Sequence, residues 1–349
     1  MQIQENISLK RLNTFGIDVA AKYFSGFHDM DELRELLASK QHQISNLKHR
    51  TSNIEPKTLV LGGGSNILFT KDFNGLVLKN DIKGIEKINE DDEHVYIKAG
   101  AGENWHSFVL YCLDNNYAGV ENLALIPGNV GASPMQNIGA YGVEIKDAFH
   151  SLEALHLTDK CTVIFNHADC EFGYRESVFK NKYKGEFIIT SVTYRLNKKP
   201  VLNTSYGAIE EELKKMNVTS PDIRAIAKAV MNIRTSKLPD PAVIGNAGSF
   251  FKNPEIEKET FDILTEKFPG IVGYKLPHGK VKLAAAWLIE KCGWKGYRKD
   301  DAGCHEKQAL VLVNYGNAKG KEIYDLSTAI LQSVQDKFGV LLEREVNII

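Results

Sequence analysis

Three side chains spread along the chain combine a permanent cation, a hydroxyl and a carboxylate: Arg175, Ser249 and Glu345. An arginine offers a planar, charged fork that matches a carboxylate and stabilises negative charge developing during a reaction. Ser249 follows Gly248, where a small hydroxyl can approach a ligand, and a carboxylate such as Glu345 can assist proton transfer. By residue type alone, each would more often have an ordinary surface, turn or strand-face role.

Two glycine-rich segments have the composition of ligand-binding loops. In the first, a predicted buried strand at 58–61 runs into three glycines at 62–64. Glycine allows positive φ and a close approach of the backbone to a ligand, and N–H groups exposed in such a turn bind phosphate. The segment is neither GxGxxG nor a Walker loop, and an ordinary tight turn is an equal alternative.

The second segment, 126–142, is dense in glycine, proline and amide residues. This composition excludes a regular helix or strand and predicts a structured loop with many backbone donors. Such a loop suits a diphosphate or the edge of a flavin ring, although a purely structural loop remains an alternative.

The chain is long enough for two or three domains, at 349 residues. Its 43 basic and 44 acidic residues leave a net charge of −1, which argues against a nucleic-acid-binding protein with a strongly basic face. Any anionic ligand must therefore be held by a local cluster of donors.

The sequence shows no pattern typical of export, membrane insertion or metal binding. Residues 1–10 lack the apolar core of a signal peptide, and the apolar stretch at 283–289 is shorter than the roughly 20 residues that span a bilayer. The five cysteines have no CxxC spacing and the ten histidines form no HExxH pair. We therefore expect a cytosolic protein with reduced, mostly buried thiols, no membrane contact and no metal site.

Hydrophobic periodicity predicts a mixture of helices and strands. Amphipathic helices are expected at 31–40, 103–115, 257–267, 282–292 and 321–337, with Gly293 and Gly339 as stops. A further helix should begin at Ser220-Pro221-Asp222, with the serine as N-cap and the proline in the first position. Strands are expected at 58–61, 95–99 and 187–196.

The chain ends in an alternating segment at 340–348, which predicts a strand with Glu345 on the face opposite Val340, Leu342 and Val346. Lys198-Lys199-Pro200 has the composition of a domain boundary, beyond which the pattern is more helical. The predicted fold class is α+β, with a boundary near residue 200.

Segments over nearly the whole chain, in their order, resemble the UDP-N-acetylenolpyruvoylglucosamine reductase family. The two glycine-rich loops, together with Asn13-Thr14-Phe15-Gly16, resemble its FAD-binding domain. The other matches are an arginine motif, a basic loop, a serine loop and a terminal glutamate strand, at 172–175, 234–241, 245–254 and 342–346. Each segment is moderately specific, and their common order is highly specific.

The resemblance implies a two-part FAD-binding domain of the vanillyl-alcohol-oxidase/PCMH type at 1–200, with subdomains at about 1–80 and 81–200. A smaller α+β substrate-binding domain is implied at 201–349. FAD is expected to be non-covalent, since no cysteine or histidine is convincingly placed for a covalent bond. The implied FAD-binding residues are Asn13, Thr14, Gly62, Gly63, Gly64, Ser65, Asn66, Pro127, Gly128, Asn129, Gly131, Ala132, Ser133, Gln136, Asn137, Gly139, Ala140 and Tyr141.

The resemblance also implies an activity: NADPH reduces FAD, and flavin N5 delivers hydride to UDP-N-acetylglucosamine enolpyruvate, giving UDP-N-acetylmuramate for peptidoglycan. Arg175 would stabilise the enol-type intermediate, Ser249 would protonate it and Glu345 would assist. A monomer is expected. The implied substrate-binding residues are Tyr174, Tyr206, Arg234, Lys237, Asn253 and, more weakly, Gln308.

Some positions keep alternatives open. Tyr206 resembles the type I branch, in which a tyrosine loop closes over the nucleotide, but it also fits a half-buried aromatic, and Arg234 fits a helix-end charge. Asn129 and Ala132-Ser133 depart from the smaller or more glycine-rich residues of relatives, which leaves a contact from residue 129 to the FAD diphosphate in question. The rival functions are an FAD-dependent small-alcohol or sugar oxidase and a non-catalytic nucleotide-sugar-binding protein.

Overall fold

The computed structural model describes residues 3–47 and 57–349, with the side chains of 39–47 and 278 left out. The chain forms two compact units, each built from three segments. The first unit comprises Met1–Ile7, Ala21–Gly63 and Asn74–Ser236. The second comprises Ser8–Ala20, Gly64–Phe73 and Lys237–Ile349.

Strands and helices are interspersed along the described residues. The strands are β1 Gln4–Ser8, β2 Ala20–Phe27, β3 Lys57–Leu61, β4 Ile67–Leu68, β5 Phe73–Asn80, β6 Ile85–Glu90, β7 His94–Gly100, β8 Gly139–Ala140, β9 Val143–Glu144, β10 Phe149–His156, β11 Thr162–Asn166, β12 Phe187–Asn197, β13 Gly245–Ser249, β14 Glu255–Glu257, β15 Gly273–Lys275, β16 Lys280–Leu283, β17 Arg298–Lys299, β18 Ala302–Cys304, β19 Val311–Asn314 and β20 Asn347–Ile348. The helices are α1 Met30–Leu47, α2 Trp105–Asp114, α3 Gly207–Lys215, α4 Ile223–Lys237, α5 Lys258–Lys267, α6 Ala285–Lys291 and α7 Gly320–Phe338. Among these helices, none combines the length and apolar character of a membrane span.

The first unit contains two larger sheets and the short antiparallel pair β8-β9. One has the order β1-β2-β5-β3, in which β3 and β5 are parallel; the other is antiparallel with the order β11-β10-β12-β7-β6. The longest of these strands, β12, is buried along most of its length. Its residues Ile189, Val192, Tyr194 and Leu196 belong to the main hydrophobic cluster, which also includes α2 and α4, whereas Ile188 belongs to a second cluster with Leu33 and Leu36 of α1.

Helix α2 shows how local sequence produces this packing. Asn104 caps the helix, because its Oδ1 accepts the Ser107 N–H at 2.9 Å. The predicted apolar stripe is confirmed: Trp105, Phe108, Val109, Cys112 and Leu113 are all buried. Burial of these side chains stabilises the helix more than its intrinsic propensity does.

The second unit contains the sheet β13-β19-β18-β17, the small sheet β14-β16-β15 and the parallel pair β20-β4. Helix α7 ends at Phe338 and is capped by Gly339, whose φ of 69° is the left-handed conformation that glycine adopts without strain. Gly293, with φ 84°, likewise follows α6. Both predicted helix stops are confirmed.

Three predicted helix boundaries are wrong. The helix predicted at 31–40 is α1, which extends from Met30 to Leu47. The predicted helix at 282–292 is in fact the end of β16 followed by α6, because a short apolar run does not distinguish a buried strand from a helix. The helix predicted to begin at Ser220 begins at Ile223, and Asp222 caps it by accepting the Ala225 N–H at 2.7 Å. Pro221 therefore precedes the cap instead of occupying the first helical position.

The C-terminal segment is extended but is not one continuous strand. Val340, Leu342 and Val346 are buried while Leu341 is exposed, so the predicted alternation is present. Ladder pairing is limited to an isolated bridge between Phe251 and Arg344 and to β20, which pairs with β4. The mixed helix and strand content confirms the α+β class, while the division of function between 1–200 and 201–349 stays a prediction.

Candidate active site

Within the first unit, the two glycine-rich loops lie against each other. A Cβ added at Gly63 would be 2.7 Å from Asn129 Oδ1 and 3.1 Å from the Gly128 Cα, and one at Gly62 would touch the same asparagine side chain. Asn129 Nδ2 donates to the Gly102 carbonyl at 2.6 Å. The Asn129 side chain therefore lies against the first glycine-rich loop while its amide is bonded to Gly102, and Gly63 leaves room for this contact.

Other residues predicted to bind FAD have side chains committed to bonds inside the protein. Asn137 is fully buried, and its Nδ2 donates to Glu144 Oε2 at 3.0 Å and to the Gly173 carbonyl at 2.9 Å. Its Oδ1 accepts the Lys146 N–H at 3.1 Å. Ser133 Oγ is buried 2.8 Å from the Tyr194 hydroxyl. These two side chains support the loop, so any FAD contact from them would come from the backbone.

Arg175 occupies a tight turn in the same unit. Gly173 and Glu176 exchange both backbone hydrogen bonds, at 3.0 and 3.3 Å, which places Tyr174 and Arg175 at the two central positions. Arg175 has φ 57°, a left-handed conformation that a side chain with a Cβ adopts at a cost of about 1–3 kcal/mol. Its Nη2 donates to the Gly139 carbonyl at 2.8 Å, within the second glycine-rich loop. The turn and the loop together fix the guanidinium.

A second cation lies beside Arg175. Arg234, near the end of α4, donates from Nε to the Leu125 carbonyl at 3.2 Å and also bonds to Tyr141. Burial lowers the pKa of Arg234, the Tyr141 bond opposes this effect, and the charge of Arg175 adds to it. Burial likewise raises the pKa of Tyr141. Two guanidinium groups and a phenol therefore form a cluster suited to an anionic ligand.

The Tyr206 ring is 46% exposed and packs edge-on against the Tyr141 ring, with centroids 5.2 Å apart. The segment before it is anchored by Asn122, a buried residue that the sequence did not single out. Asn122 Nδ2 donates to the carbonyls of both Tyr141 and Asn203, at 3.0 and 2.9 Å. Asn203 Nδ2 donates in turn to the Gly142 carbonyl at 3.0 Å, beside a cavity of about 530 Å³. The predicted tyrosine loop is thus tied to the second glycine-rich loop.

In the second unit, a β-bulge presents Ser249. Strand β13 pairs Asn246 with Val313 and then Ser249 with Val311, so the chain carries an extra residue between these pairs. Gly248 has φ 70° and donates its N–H to Asn246 Oδ1 at 2.9 Å. A bulge with a left-handed glycine redirects the side chain that follows it. Ser249 is exposed as a result, while Phe250 is fully buried.

Glu345 lies beside this bulge. Its N–H donates to the Phe250 carbonyl at 2.8 Å, and its own carbonyl accepts from Asn66 Nδ2 at 3.4 Å. Glu345 is half-buried. The predicted Ser249, Glu345 and Asn66 thus belong to one cluster within the second unit, while Arg175 belongs to the first unit.

Five other predicted site residues of the second unit lie outside the cluster of Ser249, Glu345 and Asn66: Asn13, Thr14, Asn253, Gln308 and Lys237. Asn13 is buried and bonds only within its own turn, through Leu9 and Ile17. Thr14 donates its N–H to the Gly64 carbonyl at 3.1 Å, and Gly64 packs against Leu12 so closely that a Cβ there would collide with the Leu12 carbonyl. Asn253 Oδ1 accepts the Ala285 N–H at the start of α6. Gln308 Oε1 lies 3.4 Å from the backbone nitrogen of Leu310. Lys237 is exposed at the end of α4.

The structure fits a flavin dinucleotide at its glycine-rich loops. A Cβ at Gly63 would lie only 3.1 Å from the Gly128 Cα, so the two loop backbones approach more closely than a side chain at residue 63 would permit, and glycine-rich backbone of this kind can also approach a diphosphate.

Three of the five cysteines are buried: Cys112, Cys170 and Cys304. Burial raises the pKa of both Cys170 and Cys304 to about 12.

One group of described residues has metal-ligand chemistry: His156, Asp159 and Cys161, whose ligand atoms all lie within 4.8 Å of one another. They occupy the turn between β10 and β11. His156 Nδ1 is 2.8 Å from Asp159 Oδ2 and its Nε2 is 4.0 Å from Glu186 Oε2, so both ring nitrogens already face carboxylates. We interpret this group as a hydrogen-bonded turn at the surface.

Two family models match the sequence. Residues 240–349 match the C-terminal domain of UDP-N-acetylenolpyruvoylglucosamine reductase, and residues 38–162 match an FAD binding domain. The chain is 52% identical over 349 residues to the UDP-N-acetylenolpyruvoylglucosamine reductase of Amoebophilus asiaticus, with 100% of both sequences covered. It is 50% identical over 350 residues to that of Flavobacterium johnsoniae, again with 100% of both covered.

A solved structure has the same fold. The UDP-N-acetylenolpyruvylglucosamine reductase from Thermus caldophilus aligns with a TM-score of 0.67 and 23% identity, covering 100% of this chain and 99% of that one. The expectation of an FAD-binding domain followed by a reductase-specific C-terminal domain is confirmed by these matches.

Proposed function

The chain belongs to the UDP-N-acetylenolpyruvoylglucosamine reductase family of FAD-dependent oxidoreductases, and we propose that it reduces the enolpyruvyl ether of UDP-N-acetylglucosamine to UDP-N-acetylmuramate. NADPH is the proposed reductant. The product would enter peptidoglycan synthesis, and we expect a cytoplasmic monomer.

The observation that carries the proposal is the presentation of Ser249 by a β-bulge whose next residue accepts the Glu345 N–H. Family membership alone does not assign catalytic residues in this chain. A bulge that exposes one hydroxyl, with half-buried Glu345 on the neighbouring segment, supports a proton donor assisted by a carboxylate.

FAD, when bound, would supply hydride from N5 to the terminal enolpyruvyl carbon. Hydride addition leaves an enol-type carboxylate, and the proposed role of Arg175 is to stabilise its negative charge. Two features support this role. The turn at 173–176 and the bond to the Gly139 carbonyl hold the guanidinium in one position, so little reorganisation is needed during the reaction.

Ser249 is proposed to give its Oγ proton to the carbon next to the carboxylate, which completes the saturated lactyl ether. A serine hydroxyl is a weak acid, so this transfer needs a strongly basic carbanion and a polarising neighbour. Glu345 is the proposed neighbour, because its backbone is bonded directly to Phe250. Since Ser249 is exposed, its Oγ can regain a proton from solvent.

The UDP portion requires positive and donor groups, which a chain of net charge −1 must provide locally. We propose that Arg234, Lys237 and Tyr206 supply them, with Tyr174, Asn253 and Gln308 as further contacts. The Arg234–Tyr141 bond and the edge-on packing of Tyr206 on Tyr141 support a common anion-binding role.

Product analysis tests the proposal. The holoenzyme is incubated anaerobically with NADPH and UDP-N-acetylglucosamine enolpyruvate, and the UDP-sugar is examined by mass spectrometry. We expect a product heavier by two hydrogens. An unchanged UDP-sugar together with oxygen-dependent turnover of alcohols or sugars would instead identify an oxidase, and binding without turnover would identify a nucleotide-sugar-binding protein.

A further inference from the structure

We propose that His106 is a positioning residue for Arg234, acting through the backbone of Leu125. This inference rests on the proposed function, in which Arg234 binds the anionic substrate. His106 belongs to α2 and Arg234 to α4, and both lie in the first unit. Nothing in the sequence marks His106, because it sits between the buried Trp105 and the cap-bonded Ser107 of an amphipathic helix.

The hydrogen bond between His106 and the Leu125 backbone fixes the protonation state and tautomer of the imidazole. The Leu125 N–H donates to His106 Nδ1 at 3.1 Å. Because a backbone N–H is always a donor, Nδ1 must carry a lone pair, and the proton of the neutral ring lies on Nε2. A protonated imidazole has no acceptor to offer and would turn an N–H toward the Leu125 N–H.

A second hydrogen bond connects the same Leu125 backbone to Arg234. The Leu125 carbonyl accepts from Arg234 Nε at 3.2 Å, so the N–H and C=O of one residue are held by side chains from two helices. Leu125 has φ 59°, and a branched residue in this left-handed conformation keeps it only if its surroundings hold it there. Loss of the His106 bond removes one of the contacts that fix the Leu125 peptide.

The consequence concerns the direction of the guanidinium. With Nε on Leu125 and a further bond to Tyr141, Arg234 is constrained at two points beside Arg175. A shift of the Leu125 carbonyl would turn the guanidinium and change both the Tyr141 bond and the charge presented to an anion. Leu125 also leads directly into Ile126-Pro127-Gly128, so the same contact fixes the start of the second glycine-rich loop.

Electrostatics favours the required neutral imidazole. Burial lowers the pKa of His106, and the facing charge of Arg234 from α4 lowers it further. The ring is therefore neutral at neutral pH, and the Leu125 bond is intact there. As pH falls through the His106 pKa, below its usual value of about 6.5, the acceptor is lost and a cation appears beside Arg234.

A matched pair of variants tests the inference. His106→Asn retains an acceptor at the δ position, where Oδ1 can replace Nδ1, whereas His106→Leu has no acceptor. Because one hydrogen bond contributes about 0.5–1.5 kcal/mol, we expect His106→Leu to raise the KM for the UDP-sugar about 2- to 10-fold. Its kcat and the rate of flavin reduction by NADPH should change little, and His106→Asn should stay within about twofold of wild type.

The pH profile separates positioning from general stability. Wild-type kcat/KM for the UDP-sugar should fall at acid pH with an inflection at the His106 pKa, measured independently by NMR titration of the imidazole. That inflection should be absent from His106→Asn, which retains the titrating groups of substrate and flavin. Thermal unfolding of each holoenzyme variant identifies a variant that has simply lost its fold.

The possible failures are distinguishable. If wild-type enzyme does not reduce the UDP-sugar, the proposed function is wrong, whatever the variants do. If wild type is active and folded His106→Leu has an unchanged KM and an unchanged pH profile, the positioning role of His106 is wrong. Failure of His106→Asn to restore the wild-type KM would also contradict it, since the role depends on an acceptor at the δ position.

Discussion

The Glu345 N–H donates to the Phe250 carbonyl at 2.8 Å, which joins the C-terminal segment to the residue that follows Ser249. This bond fixes the backbone of the proposed assistant relative to that of the proposed proton donor. The neighbouring bridge between Phe251 and Arg344, and the ion pair of Lys252 with Glu343 at 3.2 Å, extend the same contact. The two catalytic candidates of this unit therefore lie on adjacent, mutually bonded segments.

Replacement of Ser249 by alanine should separate the two half-reactions. The variant lacks the proton donor, so oxidation of the reduced flavin by the UDP-sugar should slow by roughly 10²–10⁴-fold. Flavin reduction by NADPH should be nearly unchanged, and stability should be preserved because the side chain is exposed. Stopped-flow absorbance of the flavin measures both rates, and an equal slowing of the two would mean that the serine has a structural role.

Arg175→Lys should keep the positive charge but lose the planar guanidinium with its several hydrogen-bond donors. A lysine cannot donate to the Gly139 carbonyl and face a carboxylate with the same rigid geometry, so the second half-reaction should slow more than the first. Arg195→Lys is the matched control, because Arg195 is an exposed arginine of the same unit. If both variants retain wild-type rates, Arg175 does not touch the reacting substrate.

Gly63→Ala should weaken FAD binding. The new Cβ would meet Asn129 Oδ1 at 2.7 Å and force the two glycine-rich loops apart, at a cost of about 1–3 kcal/mol. Gly26→Ala is the control, since a Cβ there meets its nearest atom at an ordinary 3.8 Å. Isothermal titration of each apoprotein with FAD gives the comparison, and equal affinities would exclude Gly63 from the flavin site.

Asn122→Ala should loosen the tyrosine loop. The substitution leaves the carbonyls of Tyr141 and Asn203 without their shared donor, which should cost about 1–3 kcal/mol of unfolding free energy and raise the KM for the UDP-sugar. Denaturant unfolding and steady-state kinetics measure the two effects. A stability loss with no change in KM would mean that Asn122 does not position the loop for substrate.

Thiol labelling should follow burial and pKa. Cys161 is exposed, whereas burial raises the pKa of Cys170 and of Cys304 to about 12. Because the thiolate is the nucleophile, these two thiols should remain almost unreactive at pH 8 and label only as the protein unfolds. Peptide mapping after alkylation identifies the modified residues, and early labelling of Cys304 would contradict this assignment.

Patterns with one physical interpretation could be predicted from the sequence. The apolar stripe of α2 predicts which face of the helix is buried, and the glycines and prolines of 126–142 predict a loop, within which the structure has the two-residue strand β8. The helix stops at Gly293 and Gly339 follow from the same reasoning. The apolar run at 282–292 was ambiguous, and tertiary pairing of β16 with β14 and β15 decided it.

Contacts between distant parts of the chain could not be predicted. The bulge before Ser249 depends on pairing with β19, and the commitment of Asn137 to Glu144 and Gly173 depends on how the loop folds onto the arginine turn. The position of the Asn129 side chain, against Gly63 and bonded to the Gly102 carbonyl, likewise depends on how these segments fold together. Asn122 and His106 carry no local signal, because their roles come from backbone groups that fold beside them.

The central claim is that flavin electrons pass to the enolpyruvyl group of the UDP-sugar. The most direct measurement reduces the bound flavin with one equivalent of NADPH under strict anaerobiosis and then adds UDP-N-acetylglucosamine enolpyruvate. We predict rapid return of the oxidised flavin absorbance in step with formation of UDP-N-acetylmuramate. A flavin that stays reduced until oxygen is admitted would contradict the claim.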